Sequence, residues 1–339
     1  MLSGKEALEK VTAADAAISR LSPLVILSPL VYPLEIVALR WAARVTGPAA
    51  FWAETAMFVL TLSGPALAVA FLILLDGSER ERREYRWTVF CAFLAFVSPA
   101  LFTLLSNWTY IAGATAWTGV SWWVLLAALA IASFARFPAR IGRDLNIRRA
   151  HGISALLLIA FVLAHLANHT TAIVSVTDHT VVLHALRRVY RNAFVEPILL
   201  TFFGFQIVTG SMLFWNAHRQ RTNVLGVLQT LSGLFLGVFL LAHTTAVFVL
   251  GRHVMRVDTD FNFASGGPAG LFGSGYAHLA PYYFLAPVCL FVHLGCALRW
   301  NLIPRWSEAR ADRAAYATIG VGVAVSTVIL LALCGVRIG

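Results

Sequence analysis

Residues 152–165 read GISALLLIAFVLAH, and residues 230–243 read TLSGLFLGVFLLAH. With its flanks each run is long enough to cross a bilayer, which takes about 20 mostly apolar residues. Their Ser, Leu, Leu, Phe, Leu, Ala and His coincide at a constant offset of 78. Apolar helices share leucines cheaply, whereas an ionisable histidine inside a span is costly and marks a function. The spans that follow also correspond, GSMLFW at 210–215 against GCALRW at 295–300. Two-helix units repeated in the same sense relate by an axis near the membrane normal. The alternative is compositional coincidence.

Runs of the same kind recur along the 339 residues, at about 22–43, 55–75, 87–107, 116–135, 151–173, 194–215, 226–250, 281–300 and 314–335. The chain is 59% hydrophobic and 12% charged, with a mean hydropathy of +0.76. A soluble domain carries about 25% charged residues, so this chain has too few to cover a water-facing surface. That excludes a soluble enzyme, a disordered chain and a nucleic-acid module. It predicts an all-α, polytopic membrane helix bundle of about nine transmembrane helices. Cys91, Cys289, Cys296 and Cys334 make no CxxC pair and support neither a disulfide framework nor a zinc site. Pro23, Pro29, Pro33 and Glu35 interrupt the first run. The leader Met1 to Arg20 alternates charge with alanine, and predicts a short amphipathic helix at the surface rather than a signal peptide.

Arginines orient the array. Arg80, Arg82, Arg83 and Arg86 follow the second span, and Arg136, Arg140, Arg143, Arg148 and Arg149 the fourth. Arg219 and Arg221 follow the sixth, while Arg299, Arg305, Arg310 and Arg313 surround the exit of the eighth. With Lys5, Lys10 and Arg20 these are most of the 26 basic residues, and the positive-inside rule makes their face cytoplasmic. The expectation is an integral protein of a bacterial inner membrane, N-terminus inside and C-terminus outside. Its net charge of +10 then follows from topology, with the lipid bilayer as partner and no nucleic acid. The charged linker 136–150 divides the chain into a four-helix region, 1–147, and a five-helix region, 148–339, that holds the repeat. Two long segments fall on the outer face. Segment 174–193 carries Asp178, His179, His184, Arg187, Arg188 and Arg191, and glycine-rich 251–280 carries Arg252, Arg256, Asp258 and Asp260. Loops of this length are often functional.

Three of the ten histidines sit well inside the expected spans: His165, His243 and His293. His165 and His243 lie about 15–17 residues into parallel helices, and a rise of about 1.5 Å per residue puts them at one depth in the outer half. Two neutral imidazoles facing each other at one depth are what bis-histidine ligation of a b-type haem requires. Arg187, Arg188, Arg191, Arg252 and Arg256 lie on the same face, where they can pair with haem propionates. The bland alternative is interhelical hydrogen bonding by each histidine. His293, on an antiparallel helix in the inner half, finds no histidine at its depth. Its counterpart in the repeat is Val208, with Gln206 nearby, so it reads as structural or as a lone quinone-contacting or proton-handling group. His169, one turn beyond His165, is a substitute ligand. Glu35 is a candidate proton-relay residue and Glu196 a helix start. Gly233 and Gly237 form a GxxxG that packs rather than binds.

The stretch Gln229 to His243, QTLSGLFLGVFLLAH, resembles the haem-ligating helix of the cytochrome b subunit of succinate dehydrogenases and fumarate reductases. Spans five to nine look like that family's five-helix anchor. In the family the first and fourth helices ligate a haem near the outer face, and the second and fifth another near the cytoplasm. His165 and His243 match the outer pair, although they fall in the first and third spans of the block. His293 matches one inner ligand, and Val208 stands where its partner is expected. The resemblance therefore implies one haem b, cofactor contacts from His165, His243, His293, Arg187, Arg188, Arg191, Arg252 and Arg256, and iron ligation by His165 and His243. It also implies quinone-linked electron transfer, with cytoplasmic iron–sulfur and flavoprotein subunits as partners. The first four spans have no counterpart in it. The competing function is a haem-free scaffold or transporter, with the loop at 265–275 as a lid or docking surface.

Overall fold

The computed structural model describes residues 4–76, 84–134, 144–218, 220 and 223–338. Arg80, Arg82, Arg83, Arg136, Arg140, Arg143, Arg219 and Arg221 therefore lie outside the described residues, as do the side chains of Lys5 and Lys10. Helices follow one another without a strand among the described residues: α1 (Gly4–Ala42), α2 (Ala50–Thr61), α3 (Ser63–Asp76), α4 (Arg86–Ile111), α5 (Thr118–Ala132), α6 (Asp144–Thr171), α7 (Val176–Tyr190), α8 (Val195–Ala217), α9 (Val224–Thr244), α10 (Phe261–Ser265), α11 (Gly270–Gly273), α12 (Ala280–Leu302) and α13 (Glu308–Leu333). Among them nine segments are long and apolar enough to cross a membrane, one for each expected span. α2 and α3 together make the second. The leader is not a separate surface helix: α1 is continuous from Gly4, and its membrane-length part begins at Ala13.

Prolines explain part of the packing. Pro33 has no N–H, so the Pro29 carbonyl one turn back loses its helical donor. In a bilayer such a carbonyl must find another partner. The Trp122 indole of α5 donates to it at 2.7 Å, and Trp123 donates to Leu30 O at 3.1 Å. Small residues do the rest. A Cβ on Gly322 of α13 would come within 2.3 Å of Phe291 Cβ on α12, so glycine sets how closely these two helices approach.

The main core crosses the linker. Ile18 and Val25 of α1, Phe71 of α3 and Phe96 of α4 pack in one cluster with Leu231 and Phe235 of α9 and Tyr282 of α12. α4 lies directly on α9, where Asn107 Nδ2 donates to Ala242 O at 3.1 Å. α6 and α8 stand apart from that core, with a cavity on one side of them, and so bury few of their own residues. Alternation of the spans puts the C-terminal ends of α1, α4, α6 and α9 at one end of the bundle, here called distal. The other end is proximal.

Candidate functional site: two histidine pairs in one cavity

A cavity of about 1930 Å³ runs between α6, α8, α9 and α12, and seven histidines line it: His151, His165, His169, His179, His243, His278 and His293. The volume is about twice the upper end of the range for an ordinary ligand pocket.

At the distal end the His165 and His243 rings face each other with centroids 6.1 Å apart and planes at 71°. Each ring is steadied by the phenylalanine one turn earlier on its own helix. Phe161 stacks on His165 at 14°, and Phe239 stacks on His243 at 15°. These four residues are equivalents in the repeat.

The proximal end holds a second pair that the repeat did not reveal. His293 is not alone, since its ring centroid lies 6.3 Å from that of His151 near the start of α6. His151 Nδ1 is 2.8 Å from Thr209 Oγ1, and the Thr209 hydroxyl gives its one proton to Phe205 O at 2.7 Å. At Nδ1 the hydroxyl therefore accepts, the ring N–H donates, and Nε2 keeps its lone pair. The same logic applies to His293. Ser232 Oγ donates to Gln229 O, so its oxygen is an acceptor 3.5 Å from His293 Nδ1. Gly233 makes room for that ring, since a Cβ there would lie 3.0 Å from its Cε1, whereas Gly237 faces the cavity with nothing within 4 Å. Only one of the two GxxxG glycines is thus a packing residue.

Repeat symmetry explains why this pair was hidden. At the offset of 78, His151 corresponds to Gln229 and Ser154 to Ser232. Gln206 bonds Ser154 Oγ and His151 O in the first unit, and in the second His293 sits against Ser232 and the Gln229 backbone. Gln206 thus plays the local part of His293, and Val208 is a half-exposed bystander. The spacing of His151 and His165 carries a signal: fourteen residues are close to four helical turns, which returns to nearly the same face about 21 Å along the axis.

A polar cap closes the distal end. Ser175 caps α7, whose His179, Leu183 and Tyr190 line the cavity, and His179 is buried. Asn168 Nδ2 donates to His179 Nε2 at 3.2 Å. Burial pushes the His179 pKa down to about 4 against the pull of Asp260, so the ring is neutral at pH 7. His169 stands between His165 and His179, at 4.6 and 5.3 Å, and it is His165 that faces His243. Arg187 binds Asp258 at 2.9 Å and holds that carboxyl below the usual range. Arg191 bonds Thr259 at 2.8 Å, and Arg252 pairs with Glu196 at 2.8 Å. Buried guanidinium nitrogens on all three lack partners: Arg187 Nε and Nη2, Arg191 Nε and Arg252 Nε. Arg191 and Arg252 reach the cavity wall, whereas Arg188 and Arg256 are exposed and do not, nor does Arg187, which is buried against Asp258.

No family model, curated protein or solved structure matches this chain.

The chemistry of the site rests on its donor set. Among the described residues no three His, Cys, Asp or Glu side chains converge on a point where they could hold a bare ion. Two imidazoles suffice only where a macrocycle supplies the other ligands. A metal–imidazole bond is ~2.0–2.1 Å and a ring centroid lies ~1.2 Å from its own nitrogen, so two imidazoles flanking one iron have centroids ~6.3 Å apart. Both pairs meet that separation, in an apolar cavity with unsatisfied guanidinium nitrogens at its distal end.

Proposed function

We propose that this chain is an integral membrane haem-b electron-transfer subunit with two ligand pairs, His165–His243 and His151–His293. One observation carries the reading: two histidine pairs in a single cavity share the centroid separation that iron ligation needs, 6.1 and 6.3 Å. A b haem held in this way supplies one-electron Fe(III)/Fe(II) chemistry. The protein's own part is to fix each imidazole, by Thr209 and Ser232 at the proximal pair and by Phe161 and Phe239 at the distal pair. Arg191 and Arg252, which line the cavity, would offer free guanidinium N–H groups to propionates. The pairs lie about 21 Å apart along α6, most of a hydrocarbon core of about 30 Å, so the carrier links the two leaflets. The resemblance to succinate dehydrogenase and fumarate reductase anchors supports a quinone as one redox partner. It likewise supports iron–sulfur and flavoprotein subunits on the cytoplasmic side, which the positive-inside rule makes the proximal end. Two haems rather than one is the amended expectation, with α6 supplying a ligand to each.

The test is haem content with a dithionite-reduced minus oxidised spectrum of the detergent-purified protein. The expected result is a b-type α-band and two haems per chain, falling to one in both His243→Ala and His151→Ala. A featureless spectrum after haem-supplemented expression would sink the reading and leave the scaffold or transporter.

A further inference from the structure

The cavity does not end at the C-terminal five helices. It extends between α1, α4 and α5, the region without a counterpart in the resembling family. α5 is the most loosely held span of that region, with 11% of its apolar window buried inside the protein. Ile36 and Val37 of α1, Phe102 of α4 and Gly119 of α5 make the apolar wall of this arm. A Cβ on Gly119 would meet nothing within 4 Å.

At its distal end the arm turns polar, and its unpartnered polar groups are able to donate. Arg40 lines it, in the last turn of α1, and no carboxylate among the described residues pairs with that guanidinium. Arg40 lies within electrostatic range of His278, which enters from the turn before α12, and that turn packs on both α1 and α4. His278 Nδ1 and Ser106 Oγ are buried without hydrogen-bond partners, and both residues line the cavity. Polar head and apolar wall lie along the span: from Pro33 to Arg40 is seven residues, about 10 Å of helix. A cation, two unpartnered neutral side chains able to donate in the same cavity and an apolar groove running towards the midplane match a phosphodiester head with an acyl chain. An unpaired cation favours an anionic head over a neutral carbonyl compound.

We infer that the four N-terminal spans build a binding site for one anionic phospholipid of the distal leaflet, its phosphate on Arg40, Ser106 and His278 and an acyl chain between α1, α4 and α5. The lipid fills the seam that holds α5 to the bundle. This inference stands apart from the haem reading, because its test does not involve haem.

The experiment is native mass spectrometry of the full chain purified in mild detergent, delipidated, then titrated with phosphatidylglycerol, phosphatidylcholine or inorganic phosphate. The expected result is one phosphatidylglycerol per chain, with phosphatidylcholine weaker and inorganic phosphate not retained. Arg40→Gln should weaken binding about fivefold, the weight of one basic residue at an anionic surface, and Arg40→Lys should restore most of it. Gly119→Leu, which fills the groove without touching a charge, should abolish retention. That variant separates a built site from an arginine that merely snorkels to bulk headgroups. Unchanged retention in Gly119→Leu, equal binding of phosphatidylcholine, full competition by inorganic phosphate, or a quinone co-purifying in the lipid's place would each overturn the inference.

Discussion

Thr209 is the residue on which the proximal site turns. Its hydroxyl proton is committed to Phe205 O, so the oxygen can only accept from His151. In Thr209→Val the ring loses the acceptor that fixes its tautomer and plane, and partners of this kind change metal affinity about 10–100-fold. On the proposed two-haem reading the expected outcome is loss or weakening of haem at His151–His293 with the other haem retained, read as stoichiometry and as a shifted midpoint potential. Thr209→Ser should behave as wild type. His179 makes a separate, pH-linked case. Its folded pKa of about 4 lies below the ordinary value of about 6.5, so between those pH values the unfolded chain binds more protons than the folded one. The stability is complete above pH 6.5 and is lost as pH falls towards 4. Apparent unfolding temperature in detergent should drop across that window, and His179→Gln, which keeps an acceptor for Asn168, should flatten the slope. Asp258 acts in the same direction at lower pH, because Arg187 holds its carboxyl ionised.

Among the elements, α1 and α5 show how a proline-rich span is tolerated. Three prolines inside α1 would leave carbonyls without helical donors; the Trp122 indole reaches one of these, Pro29 O, and the adjacent Trp123 indole bonds the next carbonyl, Leu30 O. Trp122 is fully buried and Trp123 is half-exposed. Trp122→Phe keeps the ring and removes the donor, so Pro29 O is left unpaired at a cost of about 1–3 kcal/mol. Thermal unfolding in detergent should register this as a clear loss, with Trp123→Phe smaller. The chain directly after α9 has its own feature. Beyond His243 the helix widens into a π-type run, Thr245–Met255, that ends at Arg256 in a left-handed conformation (φ 54°). Wide turns of this kind cluster at functional sites, and here the run carries Arg252 round to Glu196.

At the scale of the whole molecule, an odd number of candidate spans, nine among the described residues, is expected to put the end of α13 on the face opposite the start of α1. Ile338 N donates to Ile173 O at 2.9 Å, which ties the segment after α13 to the distal end of α6. A C-terminal alkaline-phosphatase fusion should therefore be active and a C-terminal green fluorescent protein fusion dark; the reverse result would invert the topology. The boundary after residue 147 is one of sequence composition and not of packing, since α4 and α9 share the main core.

Which segments form helices long and apolar enough to cross a membrane was legible in the sequence, because hydropathy over about 20 residues is a local property. The distal pair was legible too, because His165 and His243 are repeat equivalents and so share a depth. His151 with His293 was not, for the two stand at non-equivalent positions of the repeat. Pairing them requires knowing that α6 and α12 bracket one cavity. The partners of the arginines were equally hidden: Arg187 finds Asp258 and Arg252 finds Glu196 across long stretches of chain. Periodicity and composition report what each helix does with its own residues. Which side chains meet across the gap between helices is settled by packing alone, and it is packing that brings His151 to His293 and opens the cavity between α1, α4 and α5.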